Sequence, residues 1–81
     1  MFKVYSMERC PYCDAAKALL KQRGISFEEE VLSPSDDASW DALISKSGMK
    51  TVPQIFAGEK LIGGYQDLVK LDRSAGLEGL K

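Results

Sequence analysis

Two cysteines stand one helical turn apart in Cys10-Pro11-Tyr12-Cys13, and they are the only two thiols of the chain. The pair falls where a strand-like run gives way to a helix-like run, and that position gives it its chemistry. Cys10 is placed at or next to a helix N-cap with Pro11 at the first helical position, so the free N–H groups of the first turn point toward its sulfur and favour thiolate over thiol. The same turn brings Cys13 round to within disulfide reach of Cys10, so oxidation needs little backbone movement. Spacing and placement together predict a redox dithiol.

Three blander readings fit less well. Tetrahedral zinc needs four ligands, and the chain offers no third Cys and no His. A structural disulfide across so short a loop removes little unfolded-state entropy, and intracellular thiols are mostly kept reduced. An inert buried pair conflicts with Pro-Tyr at a helix start. The absence of His also excludes Ser-His-Asp and Cys-His nucleophiles.

The elements that must hold the pair can be read from periodicity. Phe2-Lys3-Val4-Tyr5-Ser6 suits a strand. From Pro11 the apolar residues Tyr12, Ala15, Ala16 and Leu19 recur at helical spacing, with Gly24 as the stop. Phe27 and Val31 enclose consecutive glutamates within Ser26 to Leu32, which suits an edge strand. Ser33-Pro34-Ser35-Asp36 reads as a helix start with Ser33 as the cap; Trp40, Leu43 and Ile44 form the stripe, and Gly48 ends it. Pro53 to Ala57 and Lys60 to Ile62 flank Gly58-Glu59 as a hairpin, and Asp67-Leu68-Val69-Lys70-Leu71 returns to helical period. The order is β-α-β-α-β-β-α: an α/β domain in which a parallel unit precedes an antiparallel hairpin and a closing helix around one sheet.

Composition sets the outer limits. Eighty-one residues, 44% hydrophobic and 28% charged, make one small domain over residues 1–81 with one compact core. Eleven basic against twelve acidic side chains give no positive field, so neither nucleic acid nor anionic lipid is an expected partner. Glu8 and Arg9 arrive before a signal-peptide core could form, and no apolar run is long enough to span a bilayer, so an unanchored cytoplasmic protein is expected.

Three elements in order, Cys10-Pro11-Tyr12-Cys13 after a short strand, Thr51-Val52-Pro53 before a hairpin, and Gly63-Gly64 leading into Gln66-Asp67-Leu68, resemble the signature set of the glutaredoxins, in the small bacterial dithiol form. The resemblance spans essentially the whole chain. It implies a thioredoxin-like fold with a four-stranded mixed sheet flanked by helices, and glutathione-dependent reduction of protein disulfides and glutathione mixed disulfides. It further implies Cys10 as nucleophile, Cys13 as resolving thiol, and Pro11 and Tyr12 as turn and wall. Thr51, a Val52 whose backbone faces glutathione, and Pro53 after a cis bond would form one side of the glutathione site. Gly64, Tyr65, Gln66 and Asp67 would hold the γ-glutamyl carboxylate at a helix N-terminus. Glutathione is the implied co-substrate, no metal is expected, and the implied partners are glutathionylated or disulfide-containing proteins met by a monomer.

The sequence departs from the family pattern in three places. Met7 stands where many glutaredoxins carry Lys, leaving Arg9 or Lys50 to supply the cation. Asp36-Asp37-Ala38-Ser39-Trp40 is acidic where the second helix usually helps bind the glycine carboxylate. Tyr65-Gln66 replaces the common Cys-Asp or Cys-Ser. These departures predict weaker glutathione binding. Two other functions are compatible with the motif: a glutaredoxin-like electron donor for ribonucleotide reductase reduced by thioredoxin reductase, and a [2Fe–2S] protein ligated by Cys10 and glutathione.

Overall fold

The computed structural model describes residues 1–74, 76 and 77. Its elements are β1 Phe2–Ser6, α1 Pro11–Gln22, β2 Phe27–Val31, α2 Asp37–Ser47, β3 Gln54–Ala57, β4 Lys60–Gly63 and α3 Tyr65–Arg73. The sheet order is β2-β1-β3-β4, with β1 parallel to β2 and antiparallel to β3, and β3 antiparallel to β4. This is the expected β-α-β-α-β-β-α order with β2 on an edge.

Strand alternation divides the core between the two faces of the sheet. Phe2 and Val4 of β1 and Ile55 of β3 join Ala16 and Leu20 of α1 and Leu68 of α3 in one cluster. Tyr5 and Phe56, each one residue further along, join Leu32 and Leu43 of α2 in the other. Tyr5 and Phe56 meet edge to face at 5.6 Å between ring centroids. β1 is therefore buried on both sides, which fixes where its end delivers the chain that follows.

The edge strand β2 accounts for its glutamates by pairing them. Glu29 accepts from Lys17 Nζ of α1 at 2.7 Å and from the buried Ser6 hydroxyl at 2.6 Å, while Glu30 lies 3.4 Å from Lys3 Nζ. The Arg23 guanidinium makes a two-pronged contact with Asp72 at 2.7 and 3.0 Å, tying the end of α1 to α3.

Two local expectations are corrected. The buried stripe of α1 is Cys13, Ala16 and Leu20 rather than Tyr12, Ala15, Ala16 and Leu19; Tyr12 is exposed and Leu19 half-buried. Lys17 interrupts the true stripe in the sequence, but its ammonium reaches Glu29, as long cationic side chains on apolar faces do. The cap of α2 is Asp36, not Ser33. Asp36 accepts from Ser39 N–H at 3.2 Å and from Ser39 Oγ at 2.8 Å, whereas the Ser33 hydroxyl meets Ser35 at 3.0 Å and Pro34-Ser35 form a preceding turn.

Leu20→Ala removes a fully buried side chain and should destabilise the fold by about 2–5 kcal/mol, against under about 0.5 kcal/mol for Val31→Ala on the exposed edge, read by denaturant unfolding. The Glu29 carboxyl is held below its ordinary 4.5 chiefly by Lys17 and then Ser6, and Lys17 is held above its ordinary 10.5 chiefly by Glu29. The Glu29 contribution is present above about pH 4.5 and is lost as pH falls through the folded value; the Lys17 contribution is lost only as pH rises past its own. The stability difference between wild type and Glu29→Gln, about 0.2–1 kcal/mol for so accessible a pair, should form a plateau across neutral pH and shrink toward both ends.

Candidate active site

The site begins where β1 ends. Between Ser6 and Pro11 the chain turns through Arg9, which has a positive φ of 57°, and presents Cys10 as the N-cap of α1. Cys10 has extended backbone angles (φ −109°, ψ 102°), and Pro11 at the first helical position forgoes an N–H that would have no intrahelical partner. The Cys10 sulfur accepts from the Cys13 backbone N–H at 3.3 Å. It therefore takes the role that Ser or Asp plays at ordinary caps. Both thiols are free.

The two sulfurs differ sharply in environment. Cys10 is partly accessible, whereas Cys13 is completely buried. Burial pushes the Cys13 thiol up to about 12, and the hydrogen bond it shares with Cys10 adds to the shift; the Met7 backbone and Lys17 act in the opposite sense. At neutral pH Cys13 is thus a protonated thiol behind a sulfur that faces solvent.

Beside the dithiol lies a cleft of about 370 Å³ lined by Tyr12, Met49, Thr51, Val52, Pro53, Gly64, Tyr65, Gln66 and Asp67. Thr51, Val52 and Pro53 form one wall and Gly64 to Asp67 the other, so residues far apart in sequence meet there. The Val52–Pro53 bond is cis, as expected from the resemblance. Tyr12 and Tyr65, both in its lining, approach to 6.0 Å between ring centroids at a 40° tilt. At the head of α3, Gly64 N–H donates to the Asp67 carboxylate at 3.0 Å. Of the two glycines Gly63 is the constrained one: φ is 124°, and a Cβ there would collide with the Asp67 carboxylate.

Arg9 is not part of this cleft. It lines a separate hollow of about 650 Å³ with Met7, Glu8 and Val31 to Pro34. Lys50 is exposed and lines neither. Met7 is half-buried and packs against the cluster of Tyr5, Leu32, Leu43 and Phe56. Sequence reasoning missed Met49, which follows the Gly48 cap of α2, and Gln54. The Gln54 amide is fully buried and donates to Met49 O at 3.0 Å and Thr51 O at 2.8 Å, while its Oε1 has no partner among the described residues. The signal was present: one polar residue inside the apolar run from Pro53 to Ala57.

A βαβ unit followed by a hairpin and a helix, with a Cys-X-X-Cys pair capping the first helix and a cis-proline turn beside it, defines a thiol–disulfide oxidoreductase of thioredoxin-like fold. A glutaredoxin family model matches residues 2–62, and the chain belongs to the glutaredoxin family, whose activity is glutathione-dependent thiol–disulfide exchange at a Cys-X-X-Cys site. It is 45% identical over 78 residues to glutaredoxin 3 of Escherichia coli strain K12, covering 96% of this chain and 93% of that protein. A glutaredoxin of Neisseria meningitidis serogroup A is 38% identical over 77 residues, covering 95% and 91%. Among solved structures, a buckwheat glutaredoxin–glutathione complex superposes with a TM-score of 0.88 at 31% identity, over 98% of this chain and 74% of that one. The holo form of glutaredoxin C1 from Populus tremula x tremuloides gives 0.87 at 36% identity, over 98% and 80%.

The difference between the thiols predicts a selective labelling pattern. At pH 8 a brief pulse of iodoacetamide on the reduced protein should modify Cys10 and leave Cys13 unmodified, as peptide mass spectrometry reads. Equal labelling of both would contradict a buried, protonated Cys13.

Proposed function

We propose that Cys10 is the attacking thiolate, that Cys13 resolves its mixed disulfides, and that glutathione lies in the cleft between Thr51-Val52-Pro53 and Gly64 to Asp67. The carrying observation is the asymmetry of the pair: an accessible sulfur that accepts a helix N-terminal N–H, backed by a buried protonated thiol. The buckwheat glutaredoxin–glutathione complex supports glutathione as the cleft's occupant.

With a glutathionylated protein, the Cys10 thiolate attacks the glutathione sulfur; a Cys10–glutathione disulfide forms and the protein leaves as thiolate, taking a proton from solvent. A second glutathione thiolate then attacks the glutathione sulfur, releasing Cys10 thiolate and oxidised glutathione. With a protein disulfide, Cys10 attacks one sulfur and the other leaves. Cys13 must then lose its proton and attack Cys10, forming the Cys10–Cys13 disulfide and expelling the second substrate thiol. Once Cys10 is in a mixed disulfide it is no longer a thiolate, so a contribution that raised the Cys13 pKa disappears while Met7 N–H and Lys17 remain. The proton leaves Cys13 more readily at the step that needs it to leave.

In the cleft, the Gly64 N–H is already committed to Asp67, so the Tyr65 and Gln66 amides are the donors available to the γ-glutamyl carboxylate. The glycine carboxylate meets no cation at Met7, and Arg9 lines the neighbouring hollow. Glutathione binding is accordingly weaker than in a Lys-bearing relative. The protein acts as a monomeric single domain in the cytoplasm, where thiols are kept reduced. A ribonucleotide reductase disulfide is one substrate of the class it would serve.

Cys10→Ser should abolish both activities, whereas Cys13→Ser should retain most deglutathionylation of a small mixed disulfide and lose reduction of a protein disulfide by at least about tenfold. A coupled assay with glutathione and glutathione reductase reads both. Equal losses in the two variants would sink the assignment of roles.

A further inference from the structure

We infer that Gln54 is a positioning residue for the glutathione site, holding the Met49 to Val52 wall of the cleft in the shape that meets the substrate. The inference rests on the cleft being the glutathione site. Gln54 is not among the residues lining the cleft; it is 0% exposed on β3, with Pro53 before it and Ile55 and Phe56 after it, all buried. Its single NH₂ group gathers two carbonyls of the preceding loop, Met49 O at 3.0 Å and Thr51 O at 2.8 Å. Those acceptors fix the amide's orientation, because a flip would set its oxygen against both carbonyls.

The loop has a second anchor at its start. The Met49 N–H donates to Ser47 Oγ at 3.0 Å, and that hydroxyl donates back to Leu43 O of α2 at 3.0 Å. Met49 is thus held through its N–H by one side chain and through its carbonyl by another. Thr51, two residues on, is held through its carbonyl, and Val52 follows directly into the cis bond. Met49, Thr51 and Val52 all line the cleft. An apolar side chain would fill the same core space without burying an unpartnered oxygen, and Gln54 Oε1 is unpartnered among the described residues. What the amide provides, and a hydrocarbon would not, is a fixed course for the loop.

The test is a split of kinetic constants for a glutathionylated peptide. Gln54→Met keeps length and volume but removes both donors; it should raise KM about five- to twentyfold with kcat within about twofold of wild type. The rate of Cys10 alkylation against pH should be unchanged, because the helix terminus that holds the thiolate is untouched. Should Gln54→Met fail to fold by circular dichroism, Gln54→Asn, which keeps the NH₂ on a shorter arm, carries the same test with a smaller rise in KM. A folded variant with wild-type KM, or one in which kcat and Cys10 alkylation fall as KM rises, overturns the inference. Thr51→Trp, which places a large side chain on the exposed rim of the cleft, tests the underlying reading: it should raise KM by obstruction. If Thr51→Trp raises KM and Gln54→Met does not, only the role of Gln54 fails; if Thr51→Trp leaves KM unchanged, the cleft is not the glutathione site and both fail.

Discussion

A backbone amide aimed at a sulfur, the Cys13 N–H 3.3 Å from Cys10 Sγ, is the contact around which the Cys-X-X-Cys site of this glutaredoxin is built. It exists only if Cys10 caps α1, and α1 can begin there only if β1 stops at Ser6 with its direction fixed. Burial of β1 on both faces, between β2 and β3, supplies that fixed direction. The large apolar clusters therefore act on catalysis through geometry: they aim a strand, the strand aims a turn, and the turn sets a sulfur at a helix terminus. The sulfur thereby satisfies one of the first-turn N–H groups that a helix start leaves without an intrahelical partner.

The second thiol is governed by the opposite physics. Cys13 lies on the buried stripe with Ala16 and Leu20, and its place in the core keeps it protonated. Lys17 sits one turn further along α1, joined to Glu29 and through it to the Ser6 hydroxyl at the end of β1. This polar chain spans α1, β2 and β1 on one side of the sheet. It ties together the three elements whose relative placement sets the dithiol, and its partners are satisfied where they become covered.

Much of this was legible in the sequence because the relevant signals are local. The cap, the helix period, the hairpin glycine and the run of glutamates each constrain their own few residues. The stripe of α1 was misplaced because Lys17 looks like a surface residue, and only Glu29, twelve positions away, turns its stem onto the buried face. The α2 cap falls at Asp36 rather than Ser33 because Pro34-Ser35 form a turn ahead of the helix, and such a turn has no distinctive period in sequence. That Thr51-Val52-Pro53 and Gly64 to Asp67 face one cleft followed from family resemblance alone. Met49 is illegible because a loop's course is set by long-range burial, whereas Gln54 leaves a trace as the single polar residue of an apolar strand, without showing which carbonyls it meets.

The outer strands of the sheet carry a further consequence. β2 presents Glu28, Glu29 and Glu30 along one margin, while β4 on the other begins at Lys60 and meets β3 through a register shift beside Ile55 and Phe56. A strand at the margin of a sheet is a ready template for pairing with another copy of the same chain. Charged side chains along one margin, Glu29 and Glu30 with their lysine partners, and an irregular second margin make edge-to-edge pairing of two molecules unfavourable. The glutamates that tie β2 to its neighbours thus also make that edge a poor template for a further strand.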